Sequence, residues 1–194
     1  MPNWCMTAYA IEGNKRTLKR IEKTINKALD GTLTKAVEKS DKTWQGNVLN
    51  ALGVKFIKDG SWNIDIRGFF YDKPEMRDGA LRFTCEEAWS RTEFAEMLCN
   101  KFPSLTVYWM EEEPGLSVYA TNDADGKYFY DRYFVDTCIG GEYQSEYFET
   151  KEDAYKWISM ISECENEEDV AAFNENRQQA DSDDYIYVNE FDVC

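Results

Sequence analysis

Histidine is missing from this chain of 194 residues. Its absence excludes Ser-His-Asp and Cys-His catalysis, together with every metal site that needs an imidazole ligand. The six cysteines are widely separated, with no Cys-x-x-Cys pair among them. This spacing predicts reduced structural thiols rather than a zinc site or a disulfide framework. Cys85 and Cys99 lie among apolar neighbours and are expected to behave as small core residues.

Long apolar runs are also missing. No stretch approaches the roughly 20 apolar residues that span a bilayer. The N-terminus lacks a basic segment followed by an apolar one, so it does not resemble a secretory signal. We therefore expect a soluble, cytoplasmic protein. A hydrophobic fraction of 43% with 15% aromatic residues is sufficient for a folded core.

Charge is present in quantity and is unevenly distributed. The formal net charge is −15. Residues 1–60 carry 11 Lys and Arg against 6 Asp and Glu, a net charge of +5. Residues 61–194 carry 11 Lys and Arg against 31 Asp and Glu, a net charge of −20. Such asymmetry bears on binding partners and not on the fold.

Hydrophobic periodicity predicts alternating strands and helices in the first part of the chain. Leu18, Ile21, Ile25 and Leu29 have helical spacing, and Asp30-Gly31 is a typical helix end. Ser90-Arg91-Thr92-Glu93 has the pattern of a capping box, which predicts a helix that stops before Pro103. The predicted elements are a strand at 4–12, helices at 15–29 and 43–52, strands at 62–71 and 80–85, the capped helix, and a strand at 105–109.

Turn residues divide the second part into shorter elements. Pro114-Gly115 and the segment 123–126 are turn signals. Thr150 is the expected cap of a further helix with Asp153 at its third position. The predicted elements are strands at 116–119, 127–137 and 142–149, a helix after Thr150 with Ala154, Trp157, Ile158 and Ile161 buried, and an edge strand at 185–188.

The element order over residues 4–113 predicts a ferredoxin-like split βαβ unit. We therefore predict a single α+β domain over 1–194, with its antiparallel sheet extended by hairpins and with a C-terminal helix. In this prediction the core covers about 4–113, a hairpin and helix extension covers about 114–164, and an acidic segment covers about 165–194.

Four short stretches resemble one protein family. They are Pro2-Asn3-Trp4-Cys5, the stretch from Phe83-Thr84 to Ala88-Trp89-Ser90, Phe102-Pro103, and Glu113-Pro114-Gly115. Together, in this order, they resemble the YubB-like family of bacterial, plasmid and phage proteins. The resemblance implies a ferredoxin-like domain and a bacterial or mobile-element setting, and it brings no activity with it.

Carboxylates are the main candidates for chemistry in the absence of histidine. Glu111 and Glu113 project to one face of a strand that contains Trp109, and Glu112 projects to the other. Two carboxylates beside aromatic residues could act as the acid and base of a glycosidase. They could also join Asp123 or Asp125 in an oxygen-only cation site, although the calcium-loop pattern is absent. The preferred interpretation is a solvated strand end, and the candidate binding set is Trp89, Trp109, Glu111, Glu112 and Glu113.

The first predicted helix carries a basic face opposite its apolar stripe. Its five cations span about 100° of the helix circumference. Such a face can follow nucleic-acid phosphates, but the acidic chain as a whole would repel nucleic acid, so a solvated outer face is preferred. The face consists of Arg16, Lys19, Arg20, Lys23 and Lys27.

The aromatic run 128–134 is likewise open to two interpretations. Exposed aromatic residues on a sheet can stack on RNA bases. Aromatic residues in strands more often pack in a core, which is the preferred interpretation.

The acidic region 163–192 has three interpretations: a solvating tail, a mimic of duplex phosphates that inhibits a DNA-binding enzyme, and a surface that docks on a basic protein. The leading hypothesis is a non-enzymatic accessory protein that contacts another protein with a basic surface. It needs no catalytic residue, metal or cofactor, and it predicts no direct binding to nucleic acid or membrane. The alternatives are the nucleic-acid mimic and a carboxylate-dependent hydrolase.

Overall fold

A computed structural model describes residues 3–55, 57–58, 61–62, 66–89, 91, 93–180 and 182–194. The chain divides into two compact units, Met1–Asp123 (unit 1) and Ala124–Cys194 (unit 2). Both units mix helices with antiparallel strands, as the α+β prediction requires. The single domain over 1–194 stays a prediction. None of the helices in the described residues has the length and apolar character needed to cross a membrane.

Unit 1 is built on one antiparallel sheet. The strands and α-helices in chain order are β1 (Trp4–Glu12), α1 (Lys15–Leu29), α2 (Gln45–Ala51), β2 (Ile57–Lys58), β3 (Ser61–Trp62), β4 (Gly68–Phe70), β5 (Glu75–Arg77), β6 (Ala80–Ala88), α3 (Phe94–Lys101), β7 (Thr106–Glu113) and β8 (Val118–Thr121). The strand order in the sheet is β8-β7-β1-β6-β4, and β5 also pairs with β6. The short strands β2 and β3 pair with each other.

The core of unit 1 lies between one face of this sheet and the helices. Helix α1 contributes three buried residues of the predicted stripe, Leu18, Ile21 and Ile25, while the fourth, Leu29, is partly buried. Asn14 caps α1 by accepting a hydrogen bond from the Thr17 backbone N–H at 2.9 Å. The strands contribute alternate residues, because successive side chains of a strand point to opposite faces. An aromatic cluster of Tyr9, Phe70, Phe83 and Phe94 fills the centre, with ring centroids 5.3–6.2 Å apart.

Several predicted boundaries in unit 1 need correction. The strand expected at 62–71 is described only as β3 and β4, and residues 63–65 lie outside the described part. Strand β6 continues to Ala88, beyond the predicted end at residue 85. Helix α3 begins at Phe94 after Glu93, whose side chain makes no capping hydrogen bond. The predicted cap Ser90 lies outside the described residues.

Unit 2 contains its own sheet and two helices. The elements are β9 (Tyr133–Ile139), β10 (Glu142–Phe148), α4 (Lys151–Ile161), α5 (Glu167–Gln179), β11 (Tyr185–Glu190) and β12 (Asp192–Val193). Strand β9 is central and pairs antiparallel with β10 on one side and β11 on the other. Thr150 caps α4 as predicted, accepting a hydrogen bond from the Asp153 N–H at 3.1 Å. The core consists of Val135, Ala154, Ile158, Cys164, Val170 and Ile186.

Three expectations for unit 2 were wrong in part. Hairpin strand β8 extends the main sheet, but β9, β10 and β11 form a separate sheet because β9 finds partners at both of its edges. The aromatic strand expected at 127–137 begins only at Tyr133. The solvating-tail interpretation of the acidic region 163–192 was wrong, since this region contains α5 and β11 and buries Val170 and Ile186 in the core.

Candidate functional site

Glu111 and Glu113 are buried, with 5% and 3% of their surface exposed. They follow Val107 and Trp109 on the core-facing side of β7, while Glu112 points to the other face and is partly exposed. The alternation of the three carboxylates agrees with the prediction. The expected solvated strand end was wrong, because the core-facing side of β7 stays covered up to its last residue.

Glu111 is held by neighbours from two other segments. Its Oε2 atom accepts a hydrogen bond from the Arg91 backbone N–H at 2.7 Å and lies 3.7 Å from the Cys5 thiol. Burial raises the pKa of Cys5 to about 12, and the nearby Glu111 charge acts in the same direction. Cys5 is therefore a protonated thiol at neutral pH and not a nucleophile.

Glu87 is a buried carboxylate that sequence analysis did not select. It has no exposed surface, and both of its oxygens lie 3.1 Å from the Tyr9 hydroxyl, which donates to them. The Gln45 side chain donates a further hydrogen bond of 2.6 Å. Burial and the Glu87 charge raise the pKa of Tyr9 well above its usual value. The alternation of Leu81, Phe83 and Cys85 could have placed Glu87 on the core-facing side.

The buried carboxylates do not assemble into a metal centre. Across the described ranges, no group of three or more Cys, Asp and Glu side chains is arranged to hold a metal ion. Asp123 is buried, whereas Asp125 is exposed. The predicted alternative of an oxygen-only cation site therefore has no geometric support in the described residues.

The two candidate tryptophans lie in different environments. Trp109 is buried, with the guanidinium of Arg91 4.2 Å from its ring centroid. Trp89 is 48% exposed, and the Arg67 guanidinium lies 4.7 Å from its ring. The backbone of Trp89 has φ +68°, an uncommon conformation for a bulky residue. Only Trp89 is thus available at the surface.

The five cations of the basic helix face are all exposed. They lie on the side of α1 opposite its buried stripe. Arg20 also donates a hydrogen bond of 3.1 Å to the Leu52 carbonyl and lies over the Phe102 ring. Unit 1 as a whole carries 17 Lys and Arg against 18 Asp and Glu, so its net charge is only −1.

Unit 2 carries almost the whole net charge of the protein. It has 5 Lys and Arg against 19 Asp and Glu, a net charge of −14. Among its described residues, 14 carboxylates are exposed. They are Asp125, Glu142, Glu146, Glu149, Glu152, Asp153, Glu163, Glu165, Glu167, Glu168, Glu175, Asp183, Glu190 and Asp192.

Aromatic residues gather on the sheet face of unit 2 that points away from its core. The register places Tyr143 and Tyr185 on either side of Cys138, and Ser145 and Tyr187 on either side of Asp136. Tyr143, Tyr187 and Tyr147 are 73%, 54% and 39% exposed. We call this surface the tyrosine face; its members are Phe134, Asp136, Tyr143, Tyr147, Tyr185 and Tyr187.

The tyrosine face was not predicted. The predicted aromatic run, 128–134, contains Tyr128, which is buried, and Tyr130, which is exposed. The alternation of Tyr143 with Tyr147 and of Tyr185 with Tyr187 was a usable local signal. Their convergence on one face depends on strand register, which was not predictable from either segment alone.

Comparisons with protein-family models, with curated proteins and with solved structures gave no match. The resemblance to the YubB-like family therefore remains a hypothesis.

Proposed function

We propose that this protein is a non-enzymatic accessory protein that binds a partner protein with a basic surface, and that unit 2 supplies the contact. One observation carries the proposal: unit 2 has a net charge of −14 and presents both 14 exposed carboxylates and a group of exposed tyrosines. Complementary charge steers association and selects partners. Tyrosine supplies contact area at low entropic cost.

Two buried carboxylates of unit 1, Glu87 and Glu111, support this proposal over the carboxylate-dependent hydrolase, whereas the buried Oε2 atom of Glu113 has no hydrogen-bond partner among the described residues. A general acid or base must be able to reach the substrate proton that it transfers. Glu111 and Glu87 instead accept hydrogen bonds from Arg91, Tyr9 and Gln45 inside the fold. These internal hydrogen bonds satisfy buried polar groups, so the two carboxylates have a structural role.

The topology of unit 1 supports the further proposal of a ferredoxin-like domain. Strand β6 lies between β1 and β4, and β1 lies between β7 and β6, with every neighbouring pair antiparallel. Helix α1 follows β1 and helix α3 follows β6. This is the arrangement expected of two interlocked split βαβ units. A bacterial or mobile-element origin is part of the same proposal.

The dense negative charge of unit 2 also favours a second candidate, a mimic of nucleic-acid phosphates. Such a mimic would occupy the DNA site of a DNA-binding enzyme. Exposed tyrosines within the acidic surface fit a protein contact better, because duplex phosphates offer no aromatic groups to imitate.

Affinity capture with the full chain as bait tests the proposed function. A bacterial lysate is treated with nuclease, passed over the bait and eluted with stepwise salt. We expect basic proteins to be retained without nucleic acid and to be released by salt, because screening weakens contacts between exposed charges. Capture of DNA-binding enzymes that duplex DNA displaces would favour the mimic.

Two bait variants make this experiment decisive. The first replaces Glu163, Glu165 and Glu168 by Gln, and the second replaces Arg16, Lys19 and Lys23 by Gln. The proposal expects the first variant to retain less of the basic partner and the second to retain it fully. The opposite pattern would move the contact to the basic helix face and would contradict the proposal.

A further inference from the structure

The tyrosine face is a compact, open platform. Strand spacing makes it roughly 10 Å across and roughly 14 Å along the strands. Its outer strand β10 is exposed from Glu142 to Tyr147, on both of its faces. A protein segment can therefore approach the platform from above and from the β10 edge.

The rings on the platform are held in fixed positions by one another. Tyr185 and Tyr187 stack with their centroids 4.7 Å apart, and Phe134 packs against Tyr147 at 4.8 Å. The Tyr185 hydroxyl donates a hydrogen bond of 3.1 Å to Asp136 at the centre. Rings ordered in this way lose little entropy when a ligand stacks on them.

Acidic cavities flank the platform on both sides. Beside Tyr147, a cavity of about 630 Å³ is lined by Asp131, Glu146, Glu149 and Asp153, together with Tyr130 and Phe148. Beside Tyr185 and Tyr187, a cavity of about 490 Å³ is lined by Glu175, Asp183 and Asp184. Neither lining contains Lys or Arg.

The carboxylates of the first cavity repel one another. Burial raises the pKa of Asp131, the neighbouring Glu149 and Glu146 charges raise it further, and the Arg132 charge opposes them only in part. In the second cavity the Asp184 carboxylate lies 3.6 Å from the Arg177 guanidinium. Glu175 and Asp183 are exposed to solvent. A cationic group entering either cavity would relieve like-charge repulsion, whereas an anionic ligand would increase it.

We propose that the tyrosine face binds an arginine-rich segment of the partner protein, with guanidinium groups stacked on the exposed tyrosine rings and reaching the carboxylates at both edges. This inference rests on the proposed function and names the surface and the chemistry of the partner. Arginine fits better than lysine because its planar guanidinium stacks on aromatic rings and pairs with carboxylates in two places at once. A second copy of this chain does not fit, because two units of net charge −14 repel each other.

Fluorescence anisotropy with labelled oligo-arginine and oligo-lysine peptides of equal length tests this inference on the full chain. The test variant carries Tyr143→Thr and Tyr187→Thr, which keep β-propensity and remove two exposed rings. Its affinity for oligo-arginine should fall roughly tenfold, because stacking on the rings is lost, while oligo-lysine affinity should change much less. Tyr71→Thr removes a similarly exposed ring from unit 1 and should leave both affinities unchanged.

Two further variants separate stacking from long-range attraction. Asp136→Asn removes the central charge but keeps an acceptor for Tyr185, and it should lower the affinity for both peptides. The Glu163, Glu165 and Glu168 to Gln variant lowers the charge away from the tyrosine face. It should also lower the two affinities by the same factor. A cooperative unfolding transition establishes that each variant is folded.

The inference is overturned if the Tyr143 and Tyr187 variant binds oligo-arginine as tightly as the parent chain, or if it loses both peptides equally. The first result would mean that general charge attraction explains the binding, and the second would mean that the rings do not distinguish arginine from lysine. In both cases the proposed function would still stand on the affinity capture. Failure of the charge-reduced bait to lose its partner would instead remove the proposed function itself.

Discussion

Tyr9 and Glu87 form a buried polar pair in the middle of an aromatic cluster. A carboxylate without exposed surface is costly unless donors satisfy its oxygens. Here the phenol and the Gln45 amide supply those donors. The Tyr9 hydroxyl should therefore contribute to the stability of unit 1.

Tyr9→Phe tests this link. The substitution keeps the ring and removes the donor to both Glu87 oxygens, so the free energy of unfolding should fall by about 1–3 kcal/mol. Urea denaturation followed by tryptophan fluorescence measures the change. Tyr71→Phe, at an exposed position of unit 1, is the control and should change little. Equal stability of the two variants would mean that the hydroxyl of Tyr9 does not stabilise the fold.

The cysteines should differ sharply in reactivity. Cys5 and Cys85 are buried and their pKa values are raised by burial, whereas Cys194 is exposed. At mildly alkaline pH, alkylation of the native protein should modify Cys194 and leave Cys5 and Cys85 unmodified, because only the thiolate reacts. Mass spectrometry identifies the modified residues. Denatured protein provides the control, in which all six should react; rapid modification of native Cys5 would contradict its placement.

At the scale of elements, helices α4 and α5 begin with side-chain caps. Thr150 and Asn166 accept hydrogen bonds from Asp153 and Asp169 backbone N–H groups, each at 3.1 Å. Such caps satisfy N–H groups that have no partner inside the helix. The same two helices hold one side of the unit 2 sheet through Ala154, Ile158 and Val170.

Thr150→Ala should lower the stability of unit 2 by about 0.5–2 kcal/mol, because the first turn of α4 loses its cap. Chemical denaturation followed by circular dichroism measures this loss. Ser159→Ala, at an exposed position within the same helix, is the matched control and should be neutral or slightly stabilising. A loss at Ser159 as large as that at Thr150 would show that the cap has no special contribution.

The pairing of β9 with β11 has a predicted dependence on pH. Burial and the hydrogen bond to Asp136 raise the pKa of Tyr185 from 10.0 to about 12. The folded state thus holds this proton more tightly than the unfolded state. The resulting stabilisation is fully present below pH 10 and is lost as pH rises through about 12.

Unfolding experiments across this range should therefore show a steeper loss of stability for the parent chain than for Tyr185→Phe. Tyr187→Phe, which removes an exposed hydroxyl from the same strand, should follow the parent chain. Parallel curves for the parent and Tyr185→Phe would mean that the hydrogen bond to Asp136 does not shift the titration.

At the scale of the whole molecule, the two units differ sharply in net charge. Unit 1 is nearly neutral, while unit 2 carries a net charge of −14 on 71 residues. Self-repulsion of that size opposes the compact state. Any agent that screens or neutralises the carboxylates of unit 2, including a basic partner, should therefore stabilise this unit.

Added salt should raise the thermal unfolding midpoint of the protein, because screening weakens this repulsion. The variant with Glu163, Glu165 and Glu168 replaced by Gln has three fewer negative charges and should show a smaller increase. Differential scanning calorimetry at several ionic strengths measures both. An identical salt response would indicate that repulsion within unit 2 does not limit stability.

Elements whose signals are local could be predicted from the sequence. The bounds of β1 and α1 agree with prediction, and the cap at Thr150 was identified from its own helix. Such signals depend on neighbours within a few residues, namely periodicity, capping side chains and turn residues. The concentration of charge in the second part of the chain was likewise visible without coordinates.

Which of these residues are buried, and which of them converge, depends on the tertiary structure. Glu111 and Glu113 were expected in solvent and are covered, and Glu87 was missed although it lies between Tyr9 and Gln45. The tyrosine face joins residues from 134 to 187 through strand register. Register and burial depend on pairings between distant segments, whose free energy includes contacts that no local window contains.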